Sequence, residues 1–227
     1  MIDFHSHILP AIDDGSKDIE ETTALLNMLS EQGVTKVVAT PHFYADNESV
    51  DMFLERRQKA FEQTAEIADA PEILLGAEVR YYNGISHLQD LKKLCVQGTN
   101  LLLIEMPSTK WPTSWVNEIL TMASGREVRP VLAHIERYIK RQDHDVWEKF
   151  LTNRVMLQCN ADFFIDFPGR LKAFALLKNY AVHFIGSDSH NLTNRAPRLG
   201  EAMDMIRKKM GADFADQMIA FGESWFE

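Results

Sequence analysis

Cysteine is scarce in this sequence of 227 residues, in which Cys95 and Cys159 are the two present. They form no paired motif, which argues against a disulfide framework and against a zinc site built from thiolates. Neither has an arginine six residues later, so the sequence lacks the nucleophilic loop of a cysteine-dependent tyrosine phosphatase. Any chemistry that this chain performs is therefore expected to use other side chains.

Long hydrophobic runs and long basic runs are also missing. No apolar run approaches the roughly 18 residues that a membrane-spanning helix needs. The first residues, Met-Ile-Asp-Phe-His, lack the basic-then-apolar pattern of a secretory signal. The formal net charge is −9, and no basic stretch is suited to a phosphate backbone. We therefore expect a cytoplasmic protein that binds no nucleic acid and does not insert into a membrane.

Short apolar runs alternate with longer helical patterns along the chain. The apolar runs occupy residues 2–4, 34–40, 73–77, 101–104, 128–133, 155–159 and 182–186, and the helical patterns include 18–32, 49–69, 113–124 and 198–209. Apolar runs without alternation are typical of parallel strands buried on both faces. Seven repeats of strand then helix, without a linker, predict one α/β domain over residues 1–227. A closed or nearly closed seven-stranded barrel is the first prediction, and an open doubly wound sheet is the alternative.

Side chains that bind metals recur where these strands are predicted to end. They are His5, His7, His42, Glu78, Glu105, His134, Asp188 and His190. The carboxyl ends of the strands form one face of an α/β barrel, so these side chains should converge. A single His or Glu in such a place is more often structural, but six of the seven predicted strand ends carry His, Asp or Glu. The remaining histidines, His87, His144 and His183, are expected to be structural.

This set of ligands indicates a chemistry. Imidazoles and carboxylates without thiolates suit manganese, iron or zinc. Two or more such ions a few ångströms apart lower the pKa of water enough to supply a nucleophile at neutral pH. Arg137 follows His134 by three residues and Arg195 follows His190 by five, and a guanidinium group binds phosphate bidentately. The pattern predicts a metal-dependent hydrolase of phosphoric esters.

Several motifs resemble one superfamily. They are His5-Ser6-His7-Ile8-Leu9-Pro10, Asp13-Asp14-Gly15, the segment 33–42 ending in Thr40-Pro41-His42, Gly76-Ala77-Glu78, the segment 130–138 around His134 and Arg137, and Ser187-Asp188-Ser189-His190-Asn191. Together they resemble the PHP (polymerase and histidinol phosphatase) superfamily. Within it they look most like the manganese-dependent protein tyrosine phosphatases of bacterial capsule and exopolysaccharide operons.

The resemblance implies a distorted TIM-like (β/α)7 barrel that holds three divalent ions, manganese first, with iron or zinc as alternatives. By carry-over from the family, the three ligand groups are His5, His7, Glu78 and Asp188; Glu78, Glu105 and His134; and Asp14, His42 and His190. Asp14 enters by this resemblance alone. Arg137 and Arg195 match the phosphate-binding arginines. The implied partner is a phosphotyrosine-containing protein, such as the tail of a bacterial tyrosine kinase, and an oligomer is compatible with the resemblance.

Other functions of the same fold are the alternatives. A histidinol-phosphate phosphatase would have the same metal cluster around a small substrate. A non-catalytic polymerase-associated module is the alternative from another class, although such modules often lose ligands that this chain keeps. Phosphotyrosine is preferred because a phenol, with a pKa of about 10, leaves more easily than an alkyl alcohol. The expected rim of the site consists of Phe43, Tyr44, Trp111 and Trp115.

Overall fold

The computed structural model describes residues 1–167, 169–179 and 181–227, and it shows an α/β fold with a curled parallel sheet. Each ladder between named strands is parallel. The strands within those residues are β1 (Ile2–Ser6), β2 (Lys36–Ala39), β3 (His42–Phe43), β4 (Glu72–Leu75), β5 (Glu78–Arg80), β6 (Leu101–Glu105), β7 (Arg129–Leu132), β8 (Met156–Asn160) and β9 (Phe184–Gly186).

Helices connect most of the strands. In the described ranges they are α1 (Ile19–Glu31), α2 (Val50–Glu62), α3 (Thr113–Ser124), α4 (His144–Thr152), α5 (Asp162–Ile165), α6 (Gly169–Lys178), α7 (Leu199–Met210) and α8 (Ala212–Glu223). The start of α1 is set by Asp18, whose carboxylate accepts a hydrogen bond from the Glu21 N–H at 2.8 Å. Its apolar face, with Leu25 and Leu29, is buried in the main core.

The strands form two hydrogen-bonded groups. Their orders are β1-β2-β4 and β3-β5-β6-β7-β8-β9. Thr40 and Pro41 separate β2 from β3, and the segment 76–77 separates β4 from β5. Proline has no N–H to donate, so the ladder is interrupted at this point. The two chain segments nevertheless stay side by side across the interruption, because the Glu78 N–H donates to the Pro41 carbonyl at 3.0 Å.

The curl of the sheet returns its last strand toward its first. The Asp188 N–H donates to the His5 carbonyl at 2.8 Å, and the His7 N–H donates to the Ser189 carbonyl at 2.9 Å. Ser6 and Ser189 form an isolated parallel bridge. The residues that follow β9 therefore lie beside the end of β1. Residues far apart in sequence meet at this edge.

The predicted alternation of strand and helix fails in one connection. Residues 81–100, all of them described, contain two short 3-10 turns, Ile85–His87 and Leu91–Leu94, and no α-helix. Gly84 and Asp90 precede these turns with φ of 97° and 63°, left-handed values that interrupt a helix. The predicted helix at 49–69 likewise ends early, since α2 stops at Glu62. Among the described helices, none is long and apolar enough to cross a membrane.

Candidate metal centre

Four side chains at the strand ends point toward one place. The Nε2 atoms of His5 and His7 are 3.1 Å apart. Oε2 of Glu78 lies 3.4 Å from the first and 3.3 Å from the second, and Oδ1 of Asp188 lies 3.6 Å from both. All four side chains are buried. Two unprotonated ring nitrogens this close repel each other unless a proton or a cation lies between them.

Glu78 also joins a second group of side chains. Its Oε1 lies 2.8 Å from Nε2 of His134, and its Oε2 lies 3.0 Å from Nδ1 of His42. Glu105 approaches the same region, with its Oε1 3.7 Å from Nε2 of His134. Glu78 therefore contacts histidines of more than one candidate ligand group, while Glu105 lies at the more exposed side.

The third group combines a loop with two strand ends. Oδ1 of Asp14 lies 3.4 Å from Nε2 of His42 and 3.5 Å from Nε2 of His190. His7 joins them, and the four potential ligand atoms all lie within 4.8 Å of one another. Asp14 is exposed, whereas His190 is buried. The structure thus brings together all nine side chains for which metal binding was predicted.

The donor atoms fit divalent ions in their spacing and charge. Ligands about 2.1 Å from an ion are about 3.0–3.5 Å from one another, which matches most of these separations. The buried Nε2 of His190 has no hydrogen-bond partner among the described residues. Burial would raise the pKa of Glu78, but the charge of His5 and the hydrogen bond of His134 hold this pKa well below its ordinary value. Glu78 is therefore an ionised carboxylate.

Asp13 orients one of the histidines, and the sequence reasoning missed it. Its Oδ2 accepts from Nδ1 of His7 at 2.8 Å and from the backbone N–H of His42 at 3.0 Å. Burial would raise the pKa of Asp13, but the hydrogen bond with His7 outweighs it and lowers this pKa below its ordinary range. A carboxylate on Nδ1 leaves Nε2 of His7 free to bind a metal. The available signal was its position beside Asp14.

Two other histidines are held in the same way. Nδ1 of His190 lies 2.9 Å from the carbonyl oxygen of Asp188, to which it donates. Nδ1 of His134 lies 3.1 Å from the hydroxyl of Tyr138, a buried residue that the sequence reasoning did not consider. In each ring, the Nδ1 contact directs Nε2 toward the cluster.

Both predicted phosphate-binding arginines contact the same carboxylate. Nη2 of Arg137 lies 2.6 Å from Oδ2 of Asp188, and Nη2 of Arg195 lies 2.8 Å from Oδ1 of Asp188. Their side chains are 40% and 34% exposed, so the guanidinium groups lie at the open side of the cluster. Each retains further N–H donors that a phosphate could use.

The backbone is unusual at two of the candidate ligands. His134 and Asp188 have φ of 34° and 51°, in the left-handed region that non-glycine residues rarely adopt. Such strain concentrates at functional sites. Gly186 permits a close approach nearby, because a Cβ there would lie 2.5 Å from Cβ of His5.

The predicted aromatic rim is wrong for two of its four members. Phe43 and Trp111 are buried in the main core. Trp111 packs on Tyr138 at a ring distance of 5.3 Å, and its Nε1 donates to the Pro107 carbonyl at 2.9 Å. Trp111 lies just before α3, and the aromatic side chains around it favour burial. Tyr44 and Trp115 are partly exposed.

Neither cysteine is suited to nucleophilic attack. Cys95 and Cys159 are free and buried. Burial raises the pKa of Cys95 to about 12 and, together with the charge of Glu136, raises the pKa of Cys159 well above its ordinary value. A nucleophilic cysteine needs the opposite shift, toward a thiolate at neutral pH.

The three remaining histidines lie in settings that suit structural roles. His87 ends a 3-10 turn, and His144 begins α4 with an exposed side chain. His183 accepts a hydrogen bond at Nδ1 from the Leu157 N–H at 3.1 Å. This contact ties the segment before β9 to β8.

Two curated relatives resemble the chain along nearly all of its length. Tyrosine-protein phosphatase CpsB of Streptococcus pneumoniae is 31% identical over 240 residues, which cover 96% of this chain and 94% of the relative. Tyrosine-protein phosphatase YwqE of Bacillus subtilis is 29% identical over 230 residues, which cover 94% and 86%.

Solved structures show the same fold. One belongs to work on YwqE from Bacillus subtilis and CpsB from Streptococcus pneumoniae, described there as unique metal-dependent tyrosine phosphatases. It matches with a TM-score of 0.86 at 23% identity and covers 100% of this chain and 94% of that one. A proposed histidinol phosphatase, hisK from Listeria monocytogenes, matches with a TM-score of 0.51 at 13% identity and covers 84% and 95%.

One protein family matches nearly the whole chain, including the residues of the candidate site. The family described as capsular polysaccharide synthesis, CpsB/CapC, matches residues 1–223. The match therefore spans β1 through the last turn of α8 and includes all nine candidate ligands and both arginines. This chain belongs to the CpsB/CapC family.

Proposed function

We propose that this chain is a metal-dependent protein tyrosine phosphatase. The observation that carries the proposal is the meeting of nine metal-type side chains and two arginines at one end of the sheet. The curated relatives at 31% and 29% identity are named tyrosine-protein phosphatases. The proposed substrate is a phosphotyrosine-containing protein, in particular the tail of a bacterial tyrosine kinase that regulates capsule or exopolysaccharide synthesis.

The proposed cofactor is a cluster of three divalent ions, manganese first, with iron or zinc as alternatives. The allocation is His5, His7, Glu78 and Asp188 for one ion, Glu78, Glu105 and His134 for a second, and Asp14, His42 and His190 for a third. Within the first group, the contacts between ligand atoms are 3.1–3.6 Å long. Mixed imidazole and carboxylate ligands support this choice of metals. Bound ions would supply positive charge and lower the pKa of water.

The two arginines are proposed to bind the phosphate. Their guanidinium groups lie on either oxygen of Asp188, which fixes them beside the cluster. Donors held in advance at this position stabilise the charge that develops on the phosphate oxygens during transfer. Arg137 and Arg195 are therefore catalytic residues in this proposal.

The choice of an aryl phosphate follows from the leaving group. A phenol departs with a pKa of about 10, whereas an alkyl alcohol needs a general acid. Among the described side chains at the centre, the imidazoles and carboxylates are already allocated to metals or to Nδ1 contacts. Tyr44, whose ring lies 5.4 Å from that of His42, and the partly exposed Trp115 are the proposed contacts for the substrate ring.

The proposal includes the finer architecture of a seven-stranded PHP-type barrel. If β2 with β3 and β4 with β5 are each counted as one interrupted strand, the strands run in sequence order around the sheet. The contacts between Ser189 and β1 support closure. One domain, a cytoplasmic location and the ability to form an oligomer stay predictions.

The proposed function is tested by comparing substrates under one manganese concentration. We expect kcat/KM for a phosphotyrosine peptide to exceed that for a phosphoserine peptide and for histidinol phosphate at least about tenfold, since the phenol leaves more easily. A clear preference for histidinol phosphate would instead indicate that the chain is a histidinol-phosphate phosphatase. No hydrolysis of any ester across a manganese titration would favour the non-catalytic module.

A further inference from the structure

Strand β8 carries two amides at its end, whereas each neighbouring strand is followed, two residues later, by a candidate metal ligand. Gln158 is fully buried, and Asn160 is the last residue of the strand. The ladder aligns them with Phe184 and Gly186 of β9, the strand that leads to Asp188. Neither amide is a good ligand for a transition metal beside imidazoles and carboxylates. Their contacts indicate another role.

The orientation of the Gln158 amide is fixed by the backbone. The N–H of His134 donates to Oε1 of Gln158 at 2.6 Å, and a backbone N–H can only donate, so the oxygen must face it. The same oxygen lies 3.4 Å from Nδ1 of His5. Nδ1 of His5 must then carry a proton, and in the neutral form of the ring, the form that binds a metal, the lone pair of Nε2 faces His7 and Glu78.

The other end of the amide continues the chain of hydrogen bonds. Nε2 of Gln158 donates to Oδ1 of Asn160 at 3.1 Å and to the Cys159 carbonyl at 2.8 Å. Because Oδ1 of Asn160 accepts there, its Nδ2 faces Asp188 and donates to Oδ2 at 2.8 Å. One backbone N–H therefore sets the direction of every hydrogen bond from His5 to Asp188.

We propose that Gln158 and Asn160 are positioning residues that set the tautomer of His5 and the orientation of Asp188. They act on the first ligand group from β8, which itself contains no candidate ligand. Neutral amides do this without adding charge beside Asp188, whereas a carboxylate at position 160 would repel it. The inference rests on the proposed function in so far as His5 and Asp188 bind a metal ion.

The test is calorimetric titration of the full chain with Mn²⁺, with urea unfolding measured in parallel. Gln158→Leu removes the oxygen that accepts from the His134 N–H and from Nδ1 of His5. We expect this change to weaken one Mn²⁺ site about 10–100-fold. Asn160→Ala should weaken the same site about tenfold. Gln158→Glu keeps an oxygen for the His134 N–H and for His5 but loses the donor to Asn160, so it should recover only part of the affinity that Gln158→Leu loses.

Gln142 offers a matched control away from the cluster. It is a buried glutamine whose Oε1 accepts from the Trp111 N–H at 2.9 Å and whose Nε2 donates to the Thr109 carbonyl at 2.7 Å. Gln142→Leu should lower stability in urea and leave Mn²⁺ affinity unchanged.

Three results would overturn the inference. One is Mn²⁺ affinity of Gln158→Leu and Asn160→Ala within about twofold of the natural chain, well below the usual cost of losing such contacts. If Gln158→Leu does not fold, unchanged affinity in Asn160→Ala has the same meaning. If the natural chain itself binds no Mn²⁺, both the proposed function and this inference fail. If the natural chain and all variants bind Mn²⁺ equally, only this inference fails.

Discussion

Asp188 is the residue at which the candidate ligands and the arginines meet. One oxygen faces His5, His7 and Arg195, and the other accepts from Arg137 and Asn160. A carboxylate shared in this way would couple the position of the proposed phosphate-binding arginines to that of a bound metal ion. Removing an arginine and removing a ligand should nevertheless give different results.

Replacement of Arg137 or Arg195 by Ala should lower kcat roughly 10²–10³-fold, the usual scale for lost stabilisation of charge in the transition state. Metal content should stay unchanged, because neither arginine belongs to a candidate ligand group. The measurements are steady-state hydrolysis of a phosphotyrosine peptide and metal analysis of the same samples.

Arg198 and Glu78 supply the controls for this prediction. Arg198 pairs with Asp162 at 3.0 Å and with Asp166 at 3.1 Å, away from the cluster, so Arg198→Ala should leave kcat unchanged. Glu78→Gln removes the proposed bridge and should lose metal. Loss of metal in an arginine variant would show that its assigned role is wrong.

Asp13→Ala should weaken metal binding about 10–100-fold, because His7 loses the carboxylate that holds Nδ1. Equilibrium titration with Mn²⁺ checks this expectation. Asp18→Ala is the matched control: it removes the cap of α1, which costs about 1 kcal/mol of stability and should not change metal affinity. Equal affinity in the Asp13 variant and the natural chain would contradict the assignment.

Sequence could indicate eight of the nine candidate ligands because each lies at or shortly after the end of an apolar run, and parallel strands bring their ends together. Asp14 lies in a loop, and only the family resemblance indicated it. It could not indicate Gln158 or Tyr138, because an amide or a phenol after such a run has no distinctive meaning until its partners are known. The left-handed backbone conformation of His134 could not be predicted either, because it depends on hydrogen bonds that form only in the folded chain. The role of each ligand stays a prediction at this scale.

At the scale of the elements, the His183 side chain links the segment before β9 to β8 by a hydrogen bond that depends on pH. His183 accepts the Leu157 N–H at Nδ1, which requires a neutral ring, and burial lowers the pKa of His183 to about 4. The unfolded chain binds this proton near pH 6.5. The contribution of His183 to stability is therefore present above pH 6.5 and is lost as the pH falls toward about 4.

His183→Asn removes this titration while keeping an oxygen that can accept the Leu157 N–H. As the pH falls from 7 to 5, the free energy of unfolding should decrease more in the natural chain than in the variant. The full effect of the pKa difference is on the order of 3 kcal/mol. Urea unfolding at several pH values measures it. His144→Asn is the control, since His144 is 86% exposed; parallel pH profiles for the His183 variant and the natural chain would contradict the prediction.

At the element scale, the parallel α/β arrangement could be predicted because apolar runs of the length of strands alternate with amphipathic patterns. The break between β2 and β3 could not, because the effect of Pro41 depends on which strands pair with the chain on either side of it. The 3-10 turns of residues 81–100 were also missed, since apolar residues there are spaced irregularly between Gly84 and Gly98. Tertiary packing decides the conformation of such segments.

For the whole molecule, the proposed chemistry depends on metal ions and not on the thiols. Cys95 and Cys159 are buried with raised pKa values, so replacing both by Ser should leave the activity of correctly folded protein intact. Family membership and the gathered ligands point to the same conclusion from independent directions, one from the likeness along residues 1–223 and the other from distances between side chains.

The most direct test of the central claim is hydrolysis of a phosphotyrosine peptide before and after exhaustive chelation, followed by addition of Mn²⁺. We expect chelation to abolish the activity and Mn²⁺ to restore it, in the natural chain and in the Cys95→Ser, Cys159→Ser variant alike. Full activity after the metal has been removed, verified by metal analysis of the same sample, would contradict it.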